Sequence, residues 1–248
     1  MNGNRRSVSL LPVCALIVFV CLGCSSAPGR PTAESIPVDP DKVSDFSVLF
    51  QQNCTGCHGS EGQHGAALAI GDPVYLAIAD DALLRKVITN GIPGTSMPAF
   101  ARSAGGMLAE NQIEVLVHGI RQHWGKAGAL AGVAPPPYAA AEPGDATRGA
   151  AVYTTFCASC HGSEGKGTPK GSSIVDGTFL ALLTDQELRT LVIVGRPDLG
   201  APDWRNNVPG RPMSAQEITD VVAWLSAQRP KFAGRPYPNP TSTAGEHP

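Results

Sequence analysis

Two short stretches hold most of the side chains in this sequence that can do chemistry: "CTGCHGSEG" at 54–62 and "CASCHGSEG" at 157–165. Each sets two thiols two residues apart and an imidazole directly after the second. Thiols so spaced can be carried on one helical turn and added across the two vinyl groups of a porphyrin, with the adjoining imidazole beneath the iron. Disulfides or a shared zinc ion would also use four thiols, but they give His58 and His161 no role. Of the 7 cysteines, Cys14, Cys21 and Cys24 fall near the N-terminus. Cys54, Cys57, Cys157 and Cys160 are therefore the whole supply in the body of the chain. The expectation is two covalently bound haem c groups, one on Cys54, Cys57 and His58 and one on Cys157, Cys160 and His161.

The elements that must position these groups repeat as well. "YLAIADDALLRKVITNGIPG" at 75–94 aligns with "FLALLTDQELRTLVIVGRPD" at 179–198, and "LAENQIEVLVHGIRQHWGK" at 108–126 with "MSAQEITDVVAWLSAQRPK" at 213–231. Apolar residues recur at helical spacing in each (Leu84, Val87, Ile88; Leu188, Leu191, Val192; Ile113, Leu116, Val117, Ile120; Ile218, Val221, Val222, Leu225), and no run alternates as a strand would. Each unit thus predicts three main helices: one running into the cysteine motif, one starting at Asp81 or Asp185 and ending near Gly91 or Gly195, and one last. The fold class is all-α, with two tandem domains at 41–130 and 145–230. Residues 131–144, rich in Pro and Ala, read as a semi-stiff linker, 25–40 as a second linker and 231–248 as a flexible tail.

Composition bounds the partners. A net charge of −2 over 248 residues offers no basic surface for a phosphate backbone, so nucleic acid is excluded as a partner. Arg5 and Arg6 precede the apolar run "SVSLLPVCALIVFVCLG", and Cys24 with a Pro-rich stretch follows, the order of an export signal over 1–24. "CLGCSS" resembles a bacterial lipobox with Cys24 as the lipidated residue, although Cys21 stands where that pattern has Leu. Cleavage nearby and an uncleaved anchor are the other readings. The body of the chain is expected outside the cytoplasm, on the periplasmic or outer-surface side, tethered to a membrane through lipidated Cys24 or an N-terminal anchor.

These residues together resemble class I c-type cytochromes, two in tandem. The resemblance implies that each domain encloses its haem between the first helix, the Cys-x-x-Cys-His loop, a middle helix, a Met-bearing loop and the last helix. "NGIPGTSMPAF" at 90–100 is similar to the family's distal loop, which makes Met97 the second axial ligand of the first iron in preference to Met107. The second domain departs from it, since Ala201 stands in "GAPDW" where the first has "SMPAF". Met213 is then the only thioether of that domain and the candidate ligand of its iron; the other reading, from its alignment with Leu108, is a core residue. The family usually crosses its first and last helices at a Gly and an aromatic. The second domain supplies Gly149 and Trp224, and the first reverses them as Phe46 and Gly119.

Of the other histidines, His64, His118 and His123 read as solvent-facing and His247 as part of a loose tail. Arg196, Arg205 and Arg211 surround the second distal loop and could serve solvation, a haem propionate or an acidic redox partner. The implied function is single-electron transfer in an extracytoplasmic, respiratory-type chain, between a quinol-oxidising complex and a terminal oxidase or reductase. The alternatives are an electron-accepting subunit of a dehydrogenase and, with an open second iron, a dihaem peroxidase.

Overall fold

The structure, a computed structural model, describes residues 38–230. The expected export signal, Cys24 and the tail at 231–248 lie outside the described residues. Of the chain's two compact units, the one ending at Lys42 shows, among its described residues, one 3-10 turn, Pro40–Lys42. Every element below belongs to the unit that begins at Val43.

Ten α-helices and no β-strand occur among the described residues, which establishes the all-α class. The first domain has α1 (Phe46–Asn53), α2 (Thr55–His58), α3 (Pro73–Ile78), α4 (Asp81–Asn90) and α5 (Glu110–Trp124), and the second repeats them as α6 (Ala146–Phe156), α7 (Ala158–His161), α8 (Gly177–Ala181), α9 (Asp185–Val194) and α10 (Ala215–Ala227). The three main helices of each domain are where the periodicity puts them. The short α3 and α8 were not foreseen, because five or six residues show no periodicity. Their caps do show: Asp72 accepts from Val74 N–H at 2.7 Å and Asp176 from Thr178 N–H at 2.9 Å.

Asp81 and Asp185 are not the caps of the middle helices. Asp80 and Thr184 cap them, the latter in a reciprocal box with Glu187. The freed carboxylates each meet an arginine. In the first domain Arg121 bonds Asp81 and the carbonyls of Leu76 and Ala79; in the second Arg229 bonds Asp185 and the carbonyls of Leu180 and Leu183. The same two carbonyls at the end of the short helix are thus tied down from different positions after the last helix begins.

The linker at 131–144 is docked rather than free, contrary to the spacer its composition predicts. Arg189, 3% exposed, donates to the carbonyls of Pro137 and Tyr138 and to Thr219 Oγ1, and Gln186 also reaches Tyr138 O at 2.8 Å. The domains themselves touch. Val74 of α3 is buried in a cluster with Ile193, Trp204 and Met213, while Val194 joins the core of the first domain. Burying these side chains between the domains favours one fixed arrangement.

Candidate functional site

Each cysteine motif begins where a helix ends. Cys54 N–H still donates to Phe50 O, and the chain then turns through α2 to His58 before Gly59 stops it at φ 82°. The second motif repeats this with Cys157, α7 and Gly162 at φ 80°. A left-handed residue closes each turn, which is why glycine follows each histidine.

The two imidazoles are held alike. His58 Nδ1 lies 2.8 Å from Leu68 O and His161 Nδ1 2.6 Å from Ser172 O. A carbonyl only accepts, so each Nδ1 carries the ring proton and each Nε2 keeps a lone pair for a metal. Burial, opposed by that hydrogen bond and reinforced by the Arg196 charge, holds His58 below the ordinary histidine range and so neutral. Gly171 permits the approach at the second site: a β-carbon there would stand 3.1 Å from His161 Nδ1 and Cε1.

The four thiols are free, with Cys57 and Cys160 exposed and Cys54 and Cys157 half-buried. Burial, with the neighbouring thiol of each pair, pushes Cys54 and Cys157 up to about 12. Among the described residues no three His, Cys, Asp or Glu side chains converge on one point. The pairs therefore form two separate stations, each with one outer thiol, one inner thiol and one imidazole, which suits a porphyrin at each and leaves no shared tetrahedral site.

In the loops that follow the middle helices the domains diverge. Ile92 N–H donates to Met97 O at 3.0 Å, and Arg196 N–H to Ala201 O at 2.9 Å. The two hydrogen bonds put Ala201 at the backbone position of Met97. Met97 is half-buried, whereas Met107 is 78% exposed. Met213 is 3% exposed among Phe156, Trp204 and Ile218, and its N–H donates to Trp204 O as Leu108 N–H does to Phe100 O. It thus occupies the backbone position of Leu108, with Asn207 Nδ2 at 3.8 Å from its sulfur.

Arg196 and Arg205 are not free for a partner. Arg196 pairs with Asp198 at 2.8 Å and Arg205 pairs with Asp203 at 2.6 Å. Arg211 bonds Glu217 and lies over the Phe156 ring, its centre 4.7 Å away. His64, His118 and His123 are exposed as expected; His123 also stacks on Phe46 with centroids 4.5 Å apart, and His64 has φ 62° with its N–H on Asp198. Nothing in the sequence signalled the cross-domain contact of His64 with Asp198, because it joins residues 134 positions apart.

Comparison with known proteins agrees with this division. Residues 146–229 match the family described as cytochrome c, and 41–117 match that described as cytochrome c oxidase, cbb3-type, subunit III. Among curated proteins, the cbb3-type cytochrome c oxidase subunit FixP of Azorhizobium caulinodans is 28% identical over 161 residues, 59% of this chain and 50% of that protein. The cbb3-type cytochrome c oxidase subunit CcoP of Cereibacter sphaeroides is 30% identical over 135 residues, 49% of this chain and 40% of that protein. The chain thus spans half or less of the length of these relatives. A chain of the Kuenenia stuttgartiensis reducing HAO-like protein complex Kustc0457/Kustc0458 superposes with a TM-score of 0.42 at 16% identity, covering 78% of this chain and 98% of that one.

Proposed function

The chain is a tandem pair of c-type cytochrome domains, and from that premise we propose that it carries single electrons between redox proteins outside the cytoplasm with one haem c held covalently in each domain. The observation that carries the reading is the matched pair of stations, each with two free thiols on one turn and an imidazole whose Nδ1 is committed to a backbone carbonyl. A bound haem supplies an Fe(III)/Fe(II) couple that takes up one electron and releases one. Cys54, Cys57, Cys157 and Cys160 would hold the haem as thioethers, each thiol adding S–H across one vinyl group so that no atom is lost, and His58 and His161 would offer Nε2 to the iron, their rings fixed by Leu68 O and Ser172 O.

Met97 is assigned to the first iron, favoured over Met107 by its burial and by its place in the distal loop. Met213, the only thioether in the second domain, is assigned to the second iron. A thioether is a soft ligand that favours ferrous iron and so raises the potential, which suits a carrier.

The names of the curated relatives extend the reading to a place beside a terminal oxidase, with a quinol-oxidising complex as donor class. The N-terminal Arg5, Arg6 and "CLGCSS" extend it to a membrane tether through Cys24 on the periplasmic side. No helix among the described residues is long and apolar enough to cross a membrane.

Mass analysis of the denatured protein tests the core of the proposal. Two haem masses per chain are expected, and one after Cys157→Ala with Cys160→Ala. A chain isolated from a haem-attaching host without haem, or with zinc in its place, would end it.

A further inference from the structure

Two residues of the second domain reach the motif of the first. Arg196 follows α9, and its Nη2 donates to Gly65 O at 2.9 Å while Nε and Nη2 donate to Asp198 at 2.9 and 2.8 Å. Asp198 also accepts the His64 N–H at 2.8 Å. Their side chains are 15% and 2% exposed, so water screens neither charge well. Gly65 lies against the motif itself: a β-carbon there would stand 2.6 Å from the His58 carbonyl carbon and 2.7 Å from Gly59 N. One hydrogen bond and one van der Waals contact therefore separate the Arg196 guanidinium from the backbone of the proximal histidine.

We propose that the Arg196–Asp198 pair, although it belongs to the second domain, sets the reduction potential of the haem in the first. When a ferrous iron passes one electron to an acceptor protein, its site gains one positive charge. A fixed cation nearby opposes that gain and raises the potential, and a fixed anion assists it and lowers the potential. Both charges are permanent at working pH, since hydrogen bonds from Arg196 hold the Asp198 carboxyl down at about 2 despite its burial. The domain contact thereby becomes part of the first redox centre. A change in how the domains dock alters the driving force for the first haem.

The inference rests on haem attachment at Cys54 and Cys57, and its test separates the two. Redox titration of the full-length holoprotein, followed by its visible spectrum, gives the haem count and both potentials; the component that moves in Met97→Ala identifies the first haem. Arg196→Gln removes the cation and leaves Asp198 unpaired, so the first potential falls. Asp198→Asn keeps an acceptor for His64 N–H and leaves Arg196 unpaired, so the first potential rises. Arg196→Lys stays close to the parent, and the neutral double variant Arg196→Gln with Asp198→Asn falls between the two single variants. A first potential that is unmoved, or that moves the same way in both single variants, overturns the proposal, as does loss of the first haem from either one, which would make the pair structural. Absence of haem from the parent protein is a different failure, that of the functional reading.

Discussion

Phe46 lies directly on Gly119: a β-carbon built on the glycine would stand 2.7 Å from Phe46 Cε2, with Cδ2 and Cγ of the ring nearer still. In the second domain the bulk is on the other helix, where a β-carbon on Gly149 would stand 2.7 Å from the Asp220 carbonyl carbon and 2.8 Å from Trp224 Cβ. The rings beyond the crossing are also exchanged. Trp124 sits edge-on to Phe50 at 4.9 Å, and Trp224 stacks on Tyr153 at 4.2 Å. Trp124 reaches Gly62 as Trp224 reaches its counterpart Gly165. The indole position is thus conserved in space while its origin shifts along the helix.

Phe46→Gly should therefore destabilise the holoprotein by about 3 kcal/mol, the scale of a large-to-small core change. Gly119→Trp in that background should recover only a minor part, because Trp124 already fills the indole position. Adding Trp124→Arg, the residue type at the matching position 229, should recover more. Urea unfolding of these proteins and of Gly119→Trp alone checks this. Strictly additive effects would mean that the positions do not couple.

Much of this was legible in the sequence, and the reason is local. The motifs, the three main helices of each domain and the Phe46–Gly119 exchange all follow from spacing and from the repeat, which records the same fold twice. The capping role of Asp80 was not legible, because either of two adjacent aspartates can cap and only Arg121 decides between them. The docked linker was not legible either. Pro and Ala declare a stiff, weakly packing segment, and nothing in them announces that Arg189 on a distant helix will take up their carbonyls. The Arg196 contacts were hidden for the same reason.

The acid side of the stability profile should be set by Asp198 and Asp220. Arg196 holds the first at about 2 and Arg148 the second at about 2, each by hydrogen bonding. Their folded values lie below the unfolded one, so the stabilisation is complete above about pH 5 and is lost as pH falls through about 2. Each contributes at most about 2 kcal/mol, and Asp220 less, because Arg148 is 58% exposed and water screens it. Asp72 works the other way. Burial raises it, so its contribution is present below the unfolded value and is lost as pH rises. Thermal melts from pH 5 to 2 should show a falling midpoint, with a shallower fall in Asp198→Asn. An equally steep fall in that variant would remove Asp198 from the account.

Arg189 should control access to the linker. Burial lowers its affinity for a proton, and carbonyls of 137 and 138 with Thr219 Oγ1 take up its donors. Arg189→Ala leaves those carbonyls without their partner, and hydrogen bonds to a charged group are worth about 1.5–3 kcal/mol. Limited proteolysis should then cut within 131–144 at a rate raised about tenfold or more, the ratio that about 1.4 kcal/mol corresponds to. Cleavage at the parent rate would show that other contacts hold the segment.

The second iron offers the sharpest test of a ligand. Met213 has the backbone position of Leu108, and Ala201 has that of Met97. The chain trace alone would therefore put a thioether at 201, yet the only sulfur available is at 213, inside the core beside Phe156 and Trp204. If Met213 is the ligand, Met213→Ala should abolish one of two sulfur-to-iron bands at the red edge of the ferric spectrum and lower one potential while leaving the other. Ala201→Met in that background should restore the band, because Arg196 N–H already holds the 201 carbonyl as Ile92 N–H holds that of Met97. The restoring variant guards against a trivial loss of packing, since it refills no part of the cavity left at 213. A spectrum unchanged by Met213→Ala, together with a new band on Ala201→Met alone, would place Met213 in the core. The second iron of the natural protein would then be open to water or small ligands, and peroxide turnover by the holoprotein would become the next measurement.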